Sequence, residues 1–217
     1  MSELTLVIGS KNYSSWSLRA WIALRQIGAP FEEIVVPLGQ PDTAARILEH
    51  SPSGRVPLLR HGGTAVWESL AICEYLAELF PDAGLWPADR GARAFARAIS
   101  SEMHAGFAAL RTTLPMDVRA TRRPSRIAEE VRTDIARIAA IWRECRARYG
   151  GPLLFGSFTA ADAMFAPVVV RFMSYGIDLA PVERDYAQAI WGLPAMREWV
   201  EAARAEPRVE PEHELPP

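Results

Sequence analysis

The spacing of apolar residues changes several times within the first eighty positions. Leu4 to Ile8 is a short apolar run closed by Gly9 and predicts a strand, after which Leu18, Trp21, Ile22 and Arg25 follow helical spacing until Gly28 and Pro30 stop it. Phe31 to Val36 predicts a second strand. A strand, a helix and a strand in succession predict a right-handed parallel crossover. Val56 to Leu59 and Thr64 to Trp67 flank His61-Gly62-Gly63, a glycine-containing connection that predicts a hairpin. A helix with Leu70, Cys73, Leu76 and Phe80 on one side closes the series. The summed order is βαβ followed by ββα.

Pro81-Asp82-Ala83-Gly84-Leu85-Trp86-Pro87 interrupts the pattern and marks a connector. Beyond it only helical periods are read. Phe95, Ile99, Met103, Phe107 and Leu110 line up until Leu114-Pro115, and Ile127, Val131, Ile135, Ile138, Trp142, Cys145 and Tyr149 do so more cleanly. Two further helices are expected, one opened by Thr159 to Asp162 and one over Leu193 to Ala203 with Pro194 in its first turn. Pro167 falls inside the first of these and is expected to kink or loosen it. The expected organisation is an α/β unit over 1–80, a linker over 81–90, an all-helical unit over 91–206 and a flexible, proline- and acid-rich tail over 207–217.

Hydrophobic residues make up 49% and charged residues 23%, so wholesale disorder is excluded. Lys and Arg number 24 against 26 Asp and Glu, net −2, which leaves no basic excess for nucleic acid or an anionic membrane. No apolar stretch is long enough to span a bilayer and the N-terminus lacks the pattern of a secretory leader, so a cytoplasmic location is expected. Cys73 and Cys145 sit inside helical apolar patterns and read as small buried hydrophobes in a reducing compartment.

Three segments could carry chemistry. Tyr13-Ser14-Ser15-Trp16-Ser17 lies between the first strand and first helix, where a serine either caps the helix or holds a hydroxyl toward a bound anion. In Ser53-Gly54-Arg55-Val56-Pro57-Leu58, a proline opens a strand; with a cis bond the Val56 backbone could pair with an extended peptide, and with a trans bond Pro57 is an edge-strand residue. In Trp67-Glu68-Ser69, a serine at the helix cap and a neighbouring carboxylate suit an α-amino acid end, or serve capping alone.

NYSSWSLRAWIAL, SGRVPLL with WESLAICEYL after it, and FTAADAMFAPVV together resemble the glutathione transferase family over about residues 4 to 205, with the serine type, theta and especially zeta, closest in pattern. The resemblance implies a thioredoxin-like domain that binds glutathione, joined to a helical-bundle domain that supplies most of the second-substrate pocket. It further implies that Ser14 donates to the glutathione sulfur, with Ser15 as alternate, and that Val56 pairs with the cysteinyl part while Pro57 is cis. Glu68 and Ser69 would hold the γ-glutamyl end, Arg55 the glycine carboxylate, and Gln40 is a looser candidate. Thr159 and Asp162 match the family's helix capping box and are assigned to structure. Zeta members carry cysteine where this chain has Trp16, so the sulfur chemistry linked to that cysteine does not carry over. The omega and beta types use a cysteine thiol at the start of the first helix, and this chain has none there.

The implied activity is that of a glutathione-dependent transferase or isomerase. Its thiolate, rather than the thiol, attacks a small electrophile, and a hydroxyl donor at a helix N-terminus raises the thiolate fraction. Reduced glutathione is the expected cosubstrate, no metal is expected, and a homodimer is implied. The second-substrate pocket is expected between the domains, with Trp16 as one wall and Met103, His104, Phe107 and Arg111 as the other; His104 and Phe107, one turn apart, would be neighbours on one helix face. Arg171 inside an apolar stretch is expected to find a salt-bridge partner. No nucleophile elbow, phosphate-binding loop or zinc pair is present. The rival class is a non-catalytic, transferase-like interaction protein, which has no physical need to keep Ser14, Val56, Glu68 and Ser69.

Overall fold

The computed structural model describes residues 3–121, 124 and 126–207; the tail expected to be flexible lies, from residue 208 onward, outside the described residues. Four strands form one sheet: β1 (Leu4–Gly9), β2 (Glu32–Val36), β3 (Leu58–His61) and β4 (Thr64–Trp67), in the order β2-β1-β3-β4. β1 and β2 are parallel across α1 (Ser15–Ile27), whereas β3 is antiparallel to both β1 and β4. His61 pairs with Thr64, so the hairpin loop is the two glycines Gly62 and Gly63.

The alternation along β1 sorts the two faces of the sheet. Leu4, Leu6 and Ile8 enter the main core with Leu18, Trp21, Ile22 and Leu24 of α1 and with Ile72, Cys73 and Leu76 of α3 (Ser69–Leu79). Val7 points the other way, to Val36, Leu58 and Ile47 of the short helix α2 (Thr43–Leu48), which the apolar period had not shown. Six residues are too few to display a helical repeat.

Beyond a turn of 3-10 helix at Pro81–Ala83 come α4 (Arg90–Ala105), α5 (Ala108–Thr113), α6 (Glu129–Tyr149), α7 (Ala160–Ser174), α8 (Pro181–Trp191) and α9 (Pro194–Ala205). α7 is the central rod. All but one of its fifteen residues are buried, and it packs on α1, α4 and α8 as one helix that runs through Pro167. Its start is the expected capping box: the Thr159 backbone N–H (2.8 Å) and hydroxyl (3.0 Å) both donate to Asp162, which also accepts from the Leu154 N–H. Trp142 of α6 closes the bundle against Phe165, Phe172 and Tyr186, ring pairs worth about 0.5–1.5 kcal/mol each beyond their burial.

Two expectations need correcting. The helix read as continuous from Phe95 to Leu110 is α4 and α5, broken at Gly106 and at Phe107, whose φ of 59° is left-handed. The break is local: a Cβ at Gly106 would lie 2.8 Å from the Glu102 carbonyl oxygen, so glycine lets the chain leave the helix there. α8, opened by Pro181, is a helix beyond the two expected; its buried face is carried by Glu183, Tyr186, Ala187 and Ile190, and a buried acid obscures an apolar stripe. Among the described residues, no helix is long and apolar enough to cross a membrane.

Candidate active site

The loop Ser10–Tyr13 turns from β1 into α1 and delivers two serines to the helix N-terminus. Ser14 is the N-cap; its Oγ accepts the Ser17 N–H at 3.3 Å and donates to Ser17 Oγ at 2.7 Å, while Ser17 Oγ also accepts the Gly9 N–H at 3.0 Å. The Ser14 proton is therefore committed within the turn. Ser15 Oγ accepts an N–H of Arg171 at 3.3 Å, and its own proton has no acceptor among the described residues. Both serines are almost fully buried and border a cavity of about 720 Å³.

The opposite rim comes from the loop before β3 and the start of α3. Gly54, Arg55, Val56 and Pro57 line the cavity, and the Val56-Pro57 peptide bond is cis. Glu68 lines it with φ 71° and ψ 122°, a backbone region that costs a non-glycine residue about 1–3 kcal/mol. Ser69 is not the cap expected of it. It is the first residue of α3; Glu68 holds the cap position and makes no side-chain capping bond. The Ser69 hydroxyl is fully buried, does not line the cavity and has no partner among the described residues, a state that costs about 1–3 kcal/mol. An unpaired hydroxyl at a helix N-terminus beside a carboxylate fits the carboxylate and ammonium of an α-amino acid. Gln40 is exposed, donates its backbone N–H to Thr43 Oγ1 at 2.9 Å and does not line the cavity.

The helical half contributes cations. Arg111 and Arg171 line the cavity with His104, Thr112, Pro115 and Met116. Among the described residues Arg171 has no salt-bridge partner of the kind expected: its guanidinium donates to the carbonyls of Leu114 (2.9 Å) and Pro167 (3.2 Å) and to Ser15. Burial, with the charge of Arg111 beside it, lowers its pKa to about 10, so it stays cationic at neutral pH. Arg111 lies 5.3 Å from the Trp16 ring, and the His104 ring meets Trp16 edge-on at 5.2 Å. His104 Nε2 stands 3.5 Å from the Glu68 carboxylate across the cleft. Burial, then the nearby guanidiniums of Arg19 and Arg111, hold His104 below its ordinary pKa of 6.5, and Glu68 alone pulls it up. The imidazole is thus neutral at pH 7.

Met103 and Phe107, expected on the pocket wall, are not there. Met103 is fully buried in the core and Phe107 joins the same cluster, because the break at Gly106 takes Phe107 off the face that presents His104. Conversely, Tyr13, Leu38, Ile47 and Arg171 line the cavity without having been read as site residues; Leu38 and Ile47 belong to the stretch around α2, where no period was visible. Among the described residues, three lining arginines, Arg55, Arg111 and Arg171, stand against one lining carboxylate, Glu68. Among the described residues no group of three His, Cys, Asp or Glu could hold a metal ion. Cys73 and Cys145 are pushed up to about 12 by burial and carry no reactive thiolate.

Comparison with known proteins points the same way. The family models for the glutathione S-transferase N-terminal domain and C-terminal domain match residues 13–79 and 124–202. A probable maleylacetoacetate isomerase of Caenorhabditis elegans is 28% identical over 182 residues, 83% of this chain and 85% of that protein. Among solved structures, a bacterial maleyl pyruvate isomerase, a glutathione S-transferase of the zeta class, is 27% identical with a TM-score of 0.72, covering 93% of this chain and 99% of that one. A glutathione transferase homologue from Burkholderia with bound glutathione is 26% identical with a TM-score of 0.71, over 93% and 98%.

Proposed function

The chain belongs to the glutathione S-transferase family, and from that premise we propose that it is a glutathione-dependent transferase or isomerase whose second substrate is a small electrophile bearing a carboxylate. The observation that carries the substrate class is the placement of Arg111 and Arg171 on the cavity wall beside Ser15, with no carboxylate among the described residues paired to Arg171. A desolvated guanidinium held by carbonyls keeps its charge for an incoming anion, and a planar fork matches a carboxylate. The maleyl names of several relatives support the same class.

Bound glutathione supplies a thiolate nucleophile. Glu68 receives its ammonium, the Ser69 hydroxyl and the first turn of α3 its γ-glutamyl carboxylate, the Val56 backbone its cysteinyl amide, and Arg55 its glycine carboxylate. The serine turn stabilises the sulfur anion. Ser15 is the better donor of the two, since its proton is uncommitted and Arg171 polarises its oxygen. His104, neutral and facing the same cavity, is available to exchange a proton with the electrophile. The reading extends to a homodimer, which the exposed Trp67 on the edge strand β4 supports, and to the cytoplasm, which two free, buried cysteines support.

The test is calorimetric titration with reduced glutathione, followed by turnover of a maleyl-type dicarboxylate and of neutral chlorodinitrobenzene. Binding, with the dicarboxylate preferred and that preference lost in Arg171→Met, is the expected result. No binding at millimolar glutathione overturns the enzyme reading in favour of the interaction-protein class, and equal turnover of both electrophiles overturns the substrate class.

A further inference from the structure

The loop that carries the serines is held from the far end of the chain. Within it, the N–H groups of Tyr13 and Ser14 both bond to the Ser10 carbonyl, at 3.2 and 2.8 Å, which closes the turn. Those of Lys11 and Asn12 point away from it. Both donate to the carboxylate of Glu206, one to each oxygen, at 2.6 and 3.0 Å. Glu206 is the residue just after α9, 195 and 194 positions from its partners.

Its surroundings fix the carboxylate in turn. The Glu206 carbonyl accepts from the Arg119 guanidinium at 3.0 Å, while the Arg119 backbone N–H donates to Asn12 Oδ1 at 3.0 Å. Trp199 of α9, seven residues earlier, donates its indole N–H to the Lys11 carbonyl at 3.0 Å. The Lys11 ammonium is turned aside to Glu33, so it does not compete for Glu206. Two consecutive N–H groups on one carboxylate form charge-assisted bonds that fix the orientation of the peptide plane between Lys11 and Asn12. That plane lies two residues before Ser14.

The geometry points to Glu206 as a positioning residue for the catalytic turn: by clamping Lys11 and Asn12 it sets where the Ser14 and Ser15 hydroxyls stand relative to the sulfur. Glu206 does not line the cavity. It acts through the loop, and a misplacement of about 1 Å at a reacting group is worth up to about 10²-fold in rate. The inference rests on the serine role proposed above.

The experiment compares Glu206→Ala, Glu206→Gln and the control Glu198→Gln, an exposed residue of α9 paired with Arg25. Four quantities are read: glutathione affinity, the pKa of the bound thiol followed by thiolate absorbance, kcat with the preferred electrophile, and amide exchange at Lys11 and Asn12. In Glu206→Ala we expect about tenfold lower kcat, a thiol pKa raised by about half a unit, glutathione affinity within about threefold and faster exchange at both amides. Glu206→Gln keeps one acceptor oxygen and falls between; Glu198→Gln matches wild type. Wild-type kcat and thiol pKa in Glu206→Ala overturn the inference. So does a loss of kcat that tracks melting temperature alone while the thiol pKa stays put, which marks Glu206 as merely structural. Failure of the wild type to bind glutathione overturns the functional reading and this inference with it, whereas binding with an unaffected variant overturns this inference alone.

Discussion

The Arg19 guanidinium lies 4.4 Å from the Trp16 ring, almost completely buried, and its Nε and Nη1 have no hydrogen-bond partner among the described residues. Burial, followed by the charges of Arg171 and Arg111, lowers its pKa to about 9, yet it is still cationic at pH 7. Trp16, a wall of the cavity, thus has two guanidiniums against its ring, Arg19 at 4.4 Å and Arg111 at 5.3 Å.

A buried charge without an anionic partner costs more than an apolar group of similar volume. Arg19→Met is therefore expected to unfold in urea at or above the wild-type midpoint, whereas Arg19→Ala, which leaves a void, loses about 2 kcal/mol or more. The cavity potential falls in both, so affinity for an anionic second substrate drops in Arg19→Met despite intact stability. A stable variant with unchanged affinity shows that Arg19 does not contribute to the field of the site.

The hydroxyl inventory predicts an order for the serines. Ser15→Ala is expected to lower kcat/KM about 10²-fold, as loss of one oxyanion-type donor does elsewhere, because it removes the free donor. Ser14→Ala removes the helix cap and is expected to cost about 1 kcal/mol of stability with a smaller kinetic effect. Steady-state kinetics beside thermal melts separate the two; the reverse order returns the role to Ser14.

His104 should titrate, by its imidazole proton resonances, with a midpoint below 6.5. Its folded pKa is depressed, so protonation opposes the fold and stability drawn from this residue is lost as pH falls through the ordinary value. Glu68 is the one upward influence, so Glu68→Gln is expected to move the midpoint further down, and saturation with glutathione, whose ammonium neutralises Glu68, to do the same. A midpoint that rises in Glu68→Gln contradicts the contact.

Asp162 runs the other way. Burial raises its pKa to about 6 from the ordinary 3.8, against the pull of the Leu154 and Thr159 bonds. The folded state binds the proton more tightly than the unfolded one, so this residue's stability is full below pH 4 and is lost as pH rises toward 6. Asp162→Asn removes the titration. Urea unfolding at pH 4.5 and 7 is expected to show wild type losing stability relative to Asp162→Asn across that interval, and parallel curves refute it.

Periodicity made most of the fold legible. Alternation along Leu4–Gly9, the two-residue glycine loop at Gly62-Gly63 and the three-and-four spacing from Val131 to Tyr149 each reflect one element burying one face, which a linear pattern records. Where burial was complete or the element short, the record failed. α7 is buried on nearly every side and was found by its capping box, α2 is too short to show a period, and α8 buries Glu183. Spacing alone carried Phe107 onto the face of His104, because a helical repeat continues on paper through a residue whose φ of 59° ends it in space.

The chain's own sequence determined the strands, the capped helices, the glycine breaks and the serine-bearing turn, since propensity, capping and periodicity are local and act over a few residues. Tertiary structure alone decided which hydroxyl keeps a free proton, that Arg171 meets carbonyls and Ser15 rather than a carboxylate, and that Glu206 reaches Lys11 and Asn12. The Arg171–Ser15 and Glu206–Lys11 and Glu206–Asn12 contacts are hydrogen bonds between residues more than 150 positions apart, and Arg171 reaches the Leu114 carbonyl across 57; only tertiary packing sets such distances.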